Sequence, residues 1–131
     1  MKPVNGIDAV RDIVSGNWVK HSDVFAVKLY PTLNKTGEFS FKLALTMVHN
    51  FPETNKDGIT IHCVNPKITQ WPVNNQIIGL TIDYIDACGE SGWEHGFWKI
   101  SDFEFGAVEI QCSDLYVTRE PPEALNTMIE A

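Results

Sequence analysis

From Phe39 to Val48 apolar side chains recur at every second residue: Phe39, Phe41, Leu43, Leu45 and Met47 share one face, and Ser40, Lys42, Ala44 and Thr46 share the other. A period of two marks a strand buried on one face only. A chain with such a strand must build a sheet and cover one side of it. The same alternation returns at Phe25, Val27 and Leu29 within residues 21–30, and at Ile59, Ile61 and Cys63 within 59–64. It returns again at Ile78, Leu80, Ile82 and Tyr84 within 76–85. A fifth strand is expected near Phe97, and a sixth over 107–112 that continues through Leu115 and Val117. The segment 67–75, with Trp71-Pro72, reads as irregular.

Helical spacing is confined to the ends. Ile7, Val10, Ile13 and Val14 fall on one helical face, with Asn5 as a possible N-cap and Ser15-Gly16-Asn17 as the stop. Ala124, Leu125, Met128 and Ile129 allow one or two weak helical turns after Pro121-Pro122. Most connections are too short for helical crossovers, so the sheet should be largely antiparallel. The expected fold is therefore α+β in one domain over residues 1–131. An N-terminal helix packs on a mostly antiparallel sheet of about six strands, shaped as a twisted sandwich or half-barrel.

With 131 residues, 44% hydrophobic and 21% charged, the chain has the composition of a folded domain rather than a disordered one. No apolar run approaches the roughly 20 residues of a membrane helix, and the N-terminus lacks a secretory h-region. The expected compartment is the cytoplasm, with no membrane contact. The cysteines Cys63, Cys88 and Cys112 form no Cys-x-x-Cys pair, and Cys63 and Cys112 read as small buried hydrophobes.

Enzymatic constellations are weak. His21, His49, His62 and His95 form neither His-x-x-x-His nor His-Glu-x-x-His, and no Gly-x-Ser-x-Gly elbow occurs. The loop Cys88-Gly89-Glu90-Ser91-Gly92-Trp93-Glu94-His95 holds a Cys and a His, but lacks a Lys and the P-loop spacing. No catalytic residue, metal site or cofactor is expected. His62 should point to the solvent face of its strand.

Charge carries more information. The net charge is −7, with a balance of +2 over residues 1–82 and −9 over residues 83–131. Nucleic acid is a poor partner for such a surface, because binding it needs cations that displace counterions. A basic protein is a better one. Asp83, Asp86, Glu90 and Glu94 surround Trp93, and Asp102 and Glu104 follow on the next hairpin. Acids around an aromatic anchor suit an interface, in which charge speeds encounter and the aromatic supplies the desolvated contact. These seven residues are the expected partner-binding set.

The segment Trp18-Val19-Lys20-His21-Ser22-Asp23 opens the run of strands, and Ile110-Gln111-Cys112-Ser113-Asp114-Leu115-Tyr116-Val117 closes it. Over roughly residues 15–118 this pattern resembles small bacterial immunity proteins of polymorphic toxin systems, including those of contact-dependent growth inhibition. Ser22 here separates the His and Asp of the strand entrance. The resemblance implies a non-enzymatic protein that binds and neutralises a cognate toxin domain. The alternatives are a small-molecule or carbohydrate-binding module, with Trp71 and Trp93 in a cleft, and a phosphate-mimicking inhibitor of a DNA-acting enzyme. An unpaired sheet edge would also leave room for a homodimer.

Overall fold

A computed structural model describes residues 4–8, 23–33, 35–48, 57–71, 80–85, 96–102 and 108–127. The described strands are β1 (Asp23–Leu33), β2 (Phe39–Val48), β3 (Gly58–Val64), β4 (Lys67–Gln70), β5 (Leu80–Ile85), β6 (Phe97–Asp102), β7 (Glu109–Cys112) and β8 (Asp114–Glu120), followed by helix α1 (Pro122–Thr127). They form two antiparallel four-stranded sheets, ordered β1-β2-β3-β8 and β4-β7-β6-β5.

The chain path explains this division. Strands β1, β2 and β3 meander through the first sheet. The chain then leaves at Asn65, whose φ of 53° makes the turn, builds the whole second sheet, and returns at Ser113 to lay β8 beside β3. Both exits are pinned by backbone hydrogen bonds: Asn65 N–H donates to Phe41 O at 2.8 Å, and Ser113 N–H donates to Val64 O at 3.0 Å.

One core joins the sheets. Leu43, Leu45, Met47, Ile59, Ile61, Cys63, Leu115 and Val117 come from the first sheet, and Trp98, Ile100, Ile110 and Cys112 from the second. Each sheet is apolar on one face, and the two faces bury each other. The first-sheet residues lie in cross-strand rows, such as Leu45 opposite Ile61 and Ile61 opposite Val117.

This architecture overturns the α+β expectation of an N-terminal helix on about six strands. Two four-stranded sheets cover one another, and the one named helix is the short C-terminal α1. Of the expected helix over 7–14, only Ile7 and Asp8 fall within the described residues. Two strands beyond the expected six account for the difference. Strand β4 is exposed along its whole length, so it has no apolar alternation to reveal it. The expected sixth strand is really two, β7 and β8, which belong to different sheets and are separated by Ser113 alone.

Residues 4–8 lie along β8. Asn5 forms a parallel bridge with Tyr116, and its carbonyl accepts from Val117 N–H at 2.9 Å. Gly6 has φ 84°, and a Cβ there would strike the Val117 carbonyl, so only glycine fits. At the other end, Leu125 of α1 is buried over Gly58 and Val48.

Candidate functional site

The partner-binding set expected from the sequence is only partly placed. Asp83 is exposed on β5, opposite Lys99 of β6. Asp102 stands on β6 opposite Leu80. Asp86, Glu90, Trp93, Glu94 and Glu104 lie outside the described residues, as does the Cys88–His95 loop. Lys99, the single cation between residues 83 and 114, pairs with Glu109 of β7 at 3.5 Å. A hydrogen bond from Thr69 and the Lys99 charge hold the Glu109 carboxyl below its ordinary range. The outer face of the second sheet is therefore a mixed-charge surface around Lys99.

Two other features stand out. The first is an apolar strip on the β1–β2 hairpin. Val27, Leu29, Leu33, Phe39 and Phe41 are all exposed, Phe39 by 78% and Phe41 by 54%. Register places Leu29 opposite Leu43, Pro31 opposite Phe41 and Leu33 opposite Phe39. The strip thus continues the core-facing surface of the first sheet. Ladder pairing of β2 with β3 runs from Met47 to Lys42 and ends at the Asn65–Phe41 hydrogen bond, so among the described residues the hairpin beyond Phe41 is a two-stranded ribbon. Large apolar residues gathered on one exposed ribbon make it a candidate interaction surface.

The second is a cleft of about 390 Å³ on the opposite face of the first sheet. Ala26, Ala44, Thr46 and Thr60 line it together with Lys28, Tyr30, His62 and Glu120. The small residues occupy neighbouring strands, with Ala26 opposite Thr46 and Thr46 opposite Thr60. The Thr46 and Thr60 hydroxyls share a hydrogen bond of 2.9 Å. His62 Nε2 lies 2.8 Å from Thr118 Oγ1, and that hydroxyl donates to Glu120 Oε1 at 3.2 Å. Thr118 therefore accepts from Nε2–H, which fixes the tautomer. The His62 ring stacks on Tyr116 at 4.4 Å, and Lys42 Nζ stands 5.6 Å from the centre of the Tyr116 ring. His62, expected on the solvent face of its strand, lies on the face away from the core but is half-buried in this cleft.

Burial lowers the His62 pKa below 6.5; Glu120 opposes the shift and Lys42 reinforces it. Between the lowered folded value and 6.5 the unfolded chain binds more protons than the folded one, so stability rises with pH across that window. Above 6.5 the contribution is fully present, and it is lost as pH falls through the folded value. His62→Gln should therefore lose less stability than the parent chain between about pH 7 and pH 5, measured by denaturant unfolding at each pH. Parallel pH profiles for the two proteins would contradict this.

Sequence reasoning did not find the strip or the cleft. Alternation placed Phe39 and Phe41 on the core side, and nothing in it says where the covering sheet stops. Trp71, expected in a binding cleft, is partly exposed at 39% but does not line this one. Trp98 is in the core. Among the described residues no three His, Cys, Asp or Glu side chains come together as a metal site, and no helix is long and apolar enough to cross a membrane. No family model matches the chain, and neither a curated protein nor a solved structure matches it.

Proposed function

We propose that this chain is a non-catalytic binding protein that neutralises a basic toxin domain, with the β1–β2 strip as its apolar anchor. The carrying observation is the strip itself. Phe39 and Phe41 supply aromatic area of the kind that dominates binding energy once desolvated. The net charge of −7, concentrated after residue 82, favours a basic partner and accelerates its approach. The test is a growth assay. The polypeptide encoded immediately upstream, cut to its C-terminal region, is expressed with and without this chain. Growth arrest relieved only by co-expression is the expected result. Arrest that persists with the chain present, or no arrest at all, overturns the reading.

The cleft favours a second reading, a small-molecule binding module. Its volume lies in the range of ligand sites, and polar groups from three strands converge on a floor of small side chains. A thermal-shift screen distinguishes the two, since a ligand of the native state raises the melting temperature.

A further inference from the structure

The second sheet is an excursion. Strands β3 and β8 are hydrogen-bonded neighbours, and everything between them in sequence, from Asn65 to Ser113, goes out to make β4–β7 and comes back. Cys63 and Cys112 stand at the two sides of the neck. Cys63 is the last inward-facing residue before the exit, and Cys112 is the last residue of the second sheet before the return. Both side chains are completely buried in the shared core.

Three observations bring them together. Val64 follows Cys63 and Ser113 follows Cys112, and these two neighbours are joined twice: Val64 O accepts from Ser113 N–H at 3.0 Å and from Ser113 Oγ at 3.1 Å. Register puts Cys63 opposite Leu115, three residues beyond Cys112. The neighbouring Cys112 thiol, together with burial, pushes the Cys63 thiol far above its ordinary range. Both cysteines are reduced in this structure.

We infer that Cys63 and Cys112 are a disulfide-forming pair that closes the neck of the second sheet and staples the two sheets together. With a low-molecular-weight disulfide such as oxidised glutathione as oxidant, one protein thiolate attacks it and releases one reduced thiol. The second protein thiolate then attacks the mixed disulfide and releases another. Two protein S–H groups are oxidised, one reagent S–S bond is reduced, and the two protons leave with the released thiols. Complete burial of both thiols keeps an oxidant from the folded pair, so the bond forms while the neck is open, during folding or local unfolding. The closed loop spans about 50 residues and holds the whole second sheet. Chain-entropy reasoning assigns a loop of that size a large stabilisation, because the unfolded chain loses much of its freedom.

The test uses the full chain carrying Cys88→Ser, reduced, unfolded and refolded across a series of glutathione ratios, then alkylated and weighed. The expected product lacks two hydrogens, yields a joined Cys63–Cys112 peptide, and melts about 10 °C above the reduced chain. The further substitution Cys112→Ala should abolish the joined peptide and the rise. Should Cys88→Ser impair folding, the parent chain is mapped instead, and the same joined peptide must dominate. Full alkylation of both thiols at the most oxidising ratio, a dominant bond to Cys88, or a joined form melting below the reduced one would each overturn the inference.

Discussion

Ile61→Ala is expected to lower the unfolding free energy by about 3–4 kcal/mol, within the range for truncating a buried Ile. Ile61 has no solvent exposure. It sits mid-strand on β3, with Leu45 opposite on β2 and Val117 opposite on β8. Strands on both sides hold the backbone in register, so the site cannot collapse to refill the lost volume. The melting temperature should fall by about 10 °C or more for a chain of this length. The check is denaturant unfolding of both proteins, comparing midpoints at unchanged slope. A loss below about 1 kcal/mol would mean that the two sheets do not enclose this position.

Phe41→Asp is expected to do the reverse, sparing the fold and destroying recognition. Phe41 is more than half exposed, so its removal leaves no core cavity. As a desolvated aromatic anchor it should contribute about 2–4 kcal/mol to binding, a loss of roughly thirty- to several-hundred-fold in affinity. In the growth assay the variant should accumulate normally and fail to relieve arrest. Asp83→Asn, on the mixed-charge face around Lys99, should change the association rate modestly and leave rescue intact. Full rescue by Phe41→Asp would remove the strip from the interface. A parent chain that self-associates through the strip, with the variant monomeric, would assign it to a second copy of this chain instead.

Strand positions were largely legible because each of β1, β2, β3, β5 and β6 contains apolar residues at a period of two. Sheet membership was less so, yet one signal was present. Ile110 and Cys112 occupy even positions, whereas Leu115 and Val117 occupy odd ones. A single strand cannot change parity without a break, because each one-residue step turns the side chain to the opposite face. The parity change at Ser113 is the corner where the chain passes between sheets. Strand β4 left no such trace, since Lys67, Ile68, Thr69 and Gln70 are all exposed. The strip was hidden for another reason. Phe39 and Phe41 obey the same alternation as Leu43 and Leu45, and only tertiary structure shows where the cover stops. The proximity of Cys63 and Cys112 was equally invisible, because contact across two sheets depends on topology rather than on spacing.

Amide hydrogen exchange of the chain, alone and saturated with the toxin domain that we propose it neutralises, is the most direct check on where that partner docks. Slower exchange across residues 27–33 and 39–41 in the complex is expected, with the core of β3 and β8 unchanged. Protection confined to β5, β6 and residues 86–95, with 27–33 and 39–41 unaltered, would contradict docking on the strip and place the interface on the acidic region instead.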